Sequence, residues 1–556
     1  MRRVPRPVVL TILLVAMVVS LAAASDILVD WLWFDALGFG AVFLTMWTAK
    51  LAVFALTASL VGSALALNGL LAVRATDSPV RQLRLVRGAG DYVDLADLLN
   101  RSTVTFSWRA LSVTFAIVFG LVLGLYEASN WDLFLKWRYA VPFGRTDPVL
   151  AHDLGFYIFS LPVYCALRNL AGVLLLLAAV GALAVYVGRG ALDLTQGVPQ
   201  VQAEVMRHLS VLLALFFLVK AGDYLLQRYA LFLSDNGVVF GAAYTDVHVR
   251  LPLFAGLIGL SLLAMVMCAA NVRFVRFSVL ITSLVVVFGT SFITALLPVL
   301  VYNYWVKPDE LRLESPYIAY NIAATRYGFG LEQISVRPFP AAGTVTPEVV
   351  AANAETIHNI RWWDPRPLLE TYRQLQEIRL YYDFEDVDVD RYTINGTYQE
   401  VLLSGRELNQ ARLAPEAQTW INLHFKFTHG IGLAMSPVNQ FDAEGLPVFY
   451  LKDVPPVSTV DLPLVRPELY YGAHTGNYVV VGGGTQEFDY PKGQENVYTT
   501  YQGTGGVALH SLWRRALFAW YFGDLKLLIS ANVTPASQLL FRRRIQERIR
   551  AVAPFL

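Results

Sequence analysis

Cysteine and charge are both scarce in this chain. Only Cys165 and Cys268 occur in 556 residues. Both lie in the first half, so the second half has no disulfide framework and depends on its core for stability. Charged residues make up 16% of the chain against 55% hydrophobic, which is too apolar for an average soluble protein. There is no concentrated stripe of lysine and arginine, and this excludes a nucleic acid as partner. No Ser-His-Asp order, Cys-His pair or nucleophile elbow stands out, so catalysis is not the leading expectation. No internal repeat or low-complexity segment is present either, which leaves neither a solenoid nor a long linker.

What the chain does have is long apolar runs, all in its first half. Residues 1–306 hold 21 Lys/Arg and 16 Asp/Glu, whereas residues 307–556 hold 23 and 27. A helix needs about 20 mostly apolar residues to cross the hydrocarbon layer. Seven stretches meet or approach that length: Val8–Ala24, Val42–Leu65, Ala110–Tyr126, Leu170–Val187, Leu209–Leu226, Leu251–Ala270 and Val279–Val301. The connections differ in basic residues, 13 on one side and 6 on the other. The arginine-rich side, which includes Arg2, Arg3, Arg6 and the 74–109 loop, is expected in the cytoplasm. Seven crossings from an inside N-terminus leave residue 307 outside. Residues 1–306 therefore read as an α-helical polytopic domain of the bacterial plasma membrane, and residues 307–556 as an extracytoplasmic α+β domain. Arg2/Arg3/Arg6 before an apolar stretch and Ala22-Ala23-Ala24 also resemble a cleavable signal peptide; the retained helix is the preferred reading. "DILVDWLWFDALGFG" and "WDLFLKWRYAVPF" mix aromatics with charges and read as interfacial helices on the outer leaflet, with re-entrant segments lining a cavity as the alternative.

In the second half, Ser315-Pro316 reads as a helix start with Gly328 as its stop, and Thr346-Pro347-Glu348 as another start. "RPLLETYRQLQEI" has helical spacing at Leu368, Tyr372, Leu375 and Ile378. "DVDVDRYTINGTYQEVLL" alternates around Asn395-Gly396, a hairpin signal. "LHSLWRRALFAWYF" is a helix with a large apolar face, and "QLLFRRRIQERIRAVAPFL" a basic amphipathic one.

Several constellations invite a chemical reading. "NYVVVGGGTQEFDY" places Glu487 where a dinucleotide fingerprint needs its third glycine, so a turn between strands is expected and no nucleotide cofactor. His424 and His429, five apart, project to different sides of either a strand or a helix and lack a third ligand, so packing is preferred to metal. Asp383, Glu385, Asp386, Asp388 and Asp390 form the densest acidic run. Asp386, Asp388 and Asp390 share one face of a strand, opposite Val387 and Val389. Arg391 stands where a calcium loop needs glycine. A solvated face partly paired with Arg391 is the simpler account, and a weak divalent-cation site the alternative. Lys220 and Asp223 are the most informative pair. They lie three residues apart inside an apolar stretch and so on one helix face. A lone charge near the bilayer centre costs at least ~2.5 kcal/mol, so the pair is expected to face the bundle or water. It is a structural ion pair or part of an ion or substrate path, the latter with Lys50 of the second span as a further candidate. Glu127, at the end of the third span, reads as an interfacial acid.

The blocks "DWLWFDALGF", "DLGFYIFSLP", "YTDVHVRLP", "ESPYIAYNIAATR", "NIRWWDPRPLLETYRQLQEIRLYYDFEDVDVDRY", "THGIGLAMSPVN", "QEFDYP" and "VYTTYQGTGGV" resemble the large bacterial multi-pass proteins of uncharacterised protein family zero-one-eight-two of the UPF series. The resemblance covers nearly the whole chain. It implies an integral plasma-membrane protein with about seven spans and a large outer domain, and it implies no reaction, ligand or catalytic residue. Chains of that family continue past the position of Leu556, so it also implies a shortened chain. The leading functional expectation is a membrane-anchored binding or assembly factor of the cell envelope. Its partners would be the lipid bilayer and a wall component, lipid or protein. The alternatives are a transporter or channel using Lys220 and Asp223, and an enzyme acting on an envelope polymer.

Overall fold

A computed structural model describes residues 6–76, 84–87, 91–94, 107–193, 200–235, 238–338, 343–493 and 495–555. Four of the arginines used for orientation, Arg2, Arg3, Arg81 and Arg101, lie outside these residues. The chain groups into two compact units: residues 46–337, and residues 3–45 together with 338–556.

The first unit is helical. Its helices are α2 (Gly40–Ala75, whose head belongs to the second unit), α3 (Trp108–Ala128), α4 (Trp131–Arg138), α5 (Leu161–Gly188), α6 (Ala203–Ala230), α7 (Leu251–Phe274), α8 (Phe277–Val301) and α9 (Glu310–Gly328). Among the described residues, six helical stretches are long and apolar enough to cross a membrane, and they carry the six apolar runs from Val42–Leu65 onward. The first run, Val8–Ala24, lies in α1 (Arg6–Ala36), which groups with the second unit.

Small residues set how closely these helices approach. Ser112, Ala116, Gly120 and Gly124 recur every four residues along α3 and are all buried. A Cβ on Gly120 would lie 2.9 Å from the Ala58 carbonyl oxygen of α2. Close backbone approach of this kind drives helix association in lipid, where apolar side chains gain nothing by leaving the hydrocarbon. Sparse polar pairs add to it: Asn68 Nδ2 donates to the Ala178 carbonyl at 2.8 Å, and Asn271 Nδ2 to Ser210 Oγ at 3.0 Å.

Leu-Pro opens both α5 and α7. Proline has no N–H to give and its ring crowds the preceding turn. The chain answers with one wide turn before each, Phe156–Ser160 and Asp246–Arg250. The start signal at Ser315-Pro316 is overridden, because the chain is already helical when it arrives. From α8 it runs through Tyr302–Val306 and Lys307–Asp309 into α9, and Pro316 sits inside that helix. Likewise Asp26–Ala36 is no separate interfacial helix but the end of α1. Trp131–Arg138 does form a short helix.

The second unit is built mainly on strands. A five-stranded antiparallel sheet runs in the order Val457–Ser458, Leu451–Lys452, Leu433–Pro437, Thr397–Gly405, Asp388–Ile394. Its last two strands form the hairpin expected at Asn395-Gly396, with both turn residues at positive φ. The helix Pro365–Gln376, capped by Asp364, packs Leu368 and Tyr372 onto this sheet beside Phe384 and Leu402; Leu375 and Ile378 stay exposed. Thr346 caps its short helix as expected.

The basic tail is not one amphipathic helix. Gln538–Leu540 is a strand between Val479–Val481 and Val507–Ala508, and only Ile545–Val552 is helical. Arg543 turns inward to 1% exposure. It donates to the carbonyls of Tyr470, Asn477 and Thr428, which is how a buried guanidinium is tolerated. Trp33 of α1 lies 6.4 Å from Phe541 and 4.8 Å from Arg542 Cζ, and Arg542 pairs with Asp30 at 2.5 Å.

Candidate functional site

Lys220 and Asp223, the pair singled out in the apolar run, meet on α6 with Nζ to Oδ2 at 2.6 Å. A third charge joins them. Arg168 of α5 donates a guanidinium N–H to the other carboxylate oxygen, Oδ1. Gln227, one turn further along α6, donates to Oδ2 at 2.9 Å. Asp223 is 7% exposed. A buried carboxylate persists in apolar surroundings when cations and donors occupy its lone pairs, and these four side chains meet that condition.

The cluster forms the polar end of a cavity of about 600 Å³ between α3, α5 and α6. Arg168 and Asn169 come from α5, Lys220 and Asp223 from α6, and Glu127 from α3. Leu123, Leu170, Val173, Phe216 and Val219 form the apolar remainder. Glu127, expected as an interfacial acid, is 5% exposed and accepts a hydrogen bond from Asn130 Nδ2 at 3.2 Å.

The charges lie toward one end of the helices. Asp223 is seven residues before the end of α6, or about 10 Å. Lys50 does not line the cavity. Its Nζ lies 5.2 Å from the Trp47 ring centroid and 5.7 Å from that of Trp131, within range of an aromatic–cation interaction.

The first unit has another cavity, of about 460 Å³ with a strongly aromatic wall. Phe143, Phe232, Phe240, Tyr317, Tyr320 and Tyr327 line it. Beside it Asp147 accepts from the N–H groups of Val149, Leu150 and His152 and from the Tyr157 hydroxyl. Burial alone would raise this carboxyl, but those donors together hold it below the ordinary aspartate value. Arg145 stacks 3.8 Å from the Tyr327 centroid and pairs with Glu332 at 3.0 Å.

In the second unit the acidic run divides. Asp388 and Asp390 are exposed on the edge strand and Asp386 is exposed just before it. Val387 is buried as expected, but Val389 is 42% exposed. Asp390 accepts from the backbone N–H of Arg391 at 2.8 Å. Among the described residues no three His, Cys, Asp or Glu side chains gather as a metal site. The acid that goes inward is Asp383, 2% exposed, which faces Arg412 at 3.1 Å and Arg373 at 3.4 Å. Its flanks, Tyr381-Tyr382 and Phe384, were the available sign that it points inward.

His424 stacks on Tyr478 at 3.9 Å, and His429 is buried beside Tyr470 at 4.9 Å. Burial pushes both imidazoles below their ordinary range. The glycine run at 482–484 is a turn after the buried strand Val479–Val481, with Gly482 at φ +67°.

The sequence profile of "Uncharacterised protein family (UPF0182)" matches residues 7–556. The chain belongs to this family. A UPF0182 protein of Bradyrhizobium diazoefficiens is 43% identical over 565 residues, covering 100% of this chain and 61% of the relative. One from Cupriavidus necator is 42% identical, covering 98% and 59%. One from Pelotomaculum thermopropionicum is 39% identical, covering 96% and 58%. The chain thus spans about three-fifths of the length of these UPF0182 relatives. No solved structure matches it.

Proposed function

We propose that this UPF0182 chain is a binding factor of the bacterial cell envelope, seated in the plasma membrane with residues 307–556 outside. In this reading the cavity between α3, α5 and α6 receives an envelope component. One observation carries it: Arg168, Lys220 and Asp223 form a hydrogen-bonded charge cluster at one end of a cavity of about 600 Å³ whose other end is apolar. Ionisable groups among membrane helices are costly, and by default they mark a site. A cavity with a charged end and an apolar end suits an amphipathic ligand. The aromatic cavity walled by Phe143, Phe232, Phe240, Tyr317, Tyr320 and Tyr327 supports binding as well, since aromatic walls give contact area at small entropic cost.

The same cluster favours a second reading, transport, because a carboxylate between two cations is a component of ion and proton paths. The test removes the charges as a set, so that no ion is left buried without its partner. Deletion of the gene is expected to give an envelope defect that the wild-type chain corrects and that Arg168→Gln/Lys220→Met/Asp223→Asn, expressed at wild-type abundance, does not. Full rescue by the triple variant would refute both readings.

A further inference from the structure

We propose that the cavity between α3, α5 and α6 holds a zwitterionic phospholipid of the phosphoethanolamine class. The phosphate would lie toward Arg168 and Lys220, the ammonium toward Glu127, and the acyl chains along the apolar walls. The inference rests on the reading that this cavity is a ligand site, and it adds the ligand's chemistry.

Depth is the first argument. α3 has 21 residues, about 30 Å, which matches the hydrocarbon thickness. Glu127 is its last residue but one, so this acid stands at the boundary with the headgroups. Because α3 and α6 run toward this end and α5 runs away from it, the apolar lining lies deeper on every helix. Leu123 is about 6 Å below Glu127, Val173 about 7 Å below Arg168 and Phe216 about 10 Å below Asp223. Polar groups at the boundary with apolar walls beneath them follow the vertical order of a phospholipid. The arginine sorting assigns this end to the outer leaflet.

Charge is the second argument. The cavity wall carries Arg168 and Lys220 against Asp223 and Glu127, a balanced set. A ligand with net charge would leave one charge uncompensated in a medium of low dielectric. A zwitterion leaves none, and its two poles match the two kinds of wall. Asp223 contacts both cations, while among the described residues Glu127 is held by Asn130 alone. Arg168 Nε is buried with no hydrogen-bond partner among the described residues. The third argument is access: Tyr126 and Val173 on the cavity wall are 65% and 40% exposed, so the cavity opens sideways to where lipid would lie.

The test uses the full chain purified in detergent, with phosphatidylethanolamine or phosphatidylglycerol added and retained lipid counted by native mass spectrometry. Wild type is expected to retain phosphatidylethanolamine about tenfold over phosphatidylglycerol, roughly 1.4 kcal/mol. Glu127→Gln keeps an acceptor for Asn130 but leaves the wall net positive, and is expected to reverse the preference. Val173→Trp, which fills the apolar part, is expected to expel both lipids. Soluble glycerophosphoethanolamine, lacking acyl chains, is expected not to displace the lipid, and displacement at matched concentration would overturn the lipid assignment. Equal retention of both lipids by wild type, or an unchanged preference in Glu127→Gln, overturns the zwitterion. If Val173→Trp still expels both in that case, the ligand site stands. If Val173→Trp changes nothing, the ligand site itself falls.

Discussion

Asp223 keeps its place on an otherwise apolar stretch of α6 because Arg168, Lys220 and Gln227 all donate to its carboxylate. Lys220 and Asp223 stood out because α6 is apolar around them. Arg168 did not, because the apolar run starts at Leu170 whereas the helix starts at Leu161. Counted as a connection residue, it is in fact the second cation on Asp223. Glu127, read as an interfacial acid at the end of the third span, is buried and lines the same cavity. Asp489 was invisible in sequence and carries a pH prediction. Burial, with Glu468 nearby, raises its carboxyl to about 6, and its Oδ1 is buried without a hydrogen-bond partner among the described residues. Well below the ordinary aspartate value of 3.8 the group is neutral in both folded and unfolded chain, and its ionisation costs nothing. As pH rises from there toward 6 the unfolded chain ionises first, so stability falls, and above 6 the loss is complete. Asp489→Asn is expected to raise the Tm of the purified protein at pH 8 and to leave it nearly unchanged at about pH 3. An equal shift at both pH values would contradict this.

Among the elements, turn and cap chemistry was readable where it acts alone and misleading where tertiary context intervenes. Asn395-Gly396 forms its hairpin and Thr346 caps its helix, both being local devices. Ser315-Pro316 fails because helix propagation from α8 needs no new nucleus. The tail fails as one helix because Arg543 is required inside, by carbonyls distant in sequence. Packing by small residues was not anticipated, since glycines in an apolar run carry no periodic hydrophobic signal. It still decides where α3, and with it Glu127, stands. Gly120→Leu drives a side chain into the Ala58 carbonyl and is expected to cost about 1–3 kcal/mol or more, as overpacking does. It should appear as a lowered Tm in detergent and as weaker lipid retention. Gly259→Ala, with nothing within 4 Å of the new Cβ, is the control expected to change neither. A wild-type Tm for Gly120→Leu would separate α3 from the cavity's architecture.

For the whole molecule, the division into an apolar helical part and a strand-rich part was legible from composition alone, because solvent differs between them. The grouping of α1 with residues 338–556 was not, since it depends on contacts such as Trp33 with Phe541, about 500 positions apart. The orientation derived from arginine is tested by labelling. With Cys165→Ser and Cys268→Ser, a cysteine replacing the exposed Asp388 is expected to react with a membrane-impermeant maleimide on intact cells. Reaction only after lysis would invert the assignment. The helical run Phe277–Gly328 has a mechanical consequence. Between α8 and α9 it passes through a wide turn at Tyr302–Val306 and a tight one at Lys307–Asp309, while α9 is tied to its neighbours by the Tyr244 N–H donating to Glu314, Asn321 donating to the Phe240 carbonyl and Arg145 stacked on Tyr327. A tilt of α8 is therefore expected to be absorbed at that junction, leaving the aromatic wall that α9 contributes undisturbed.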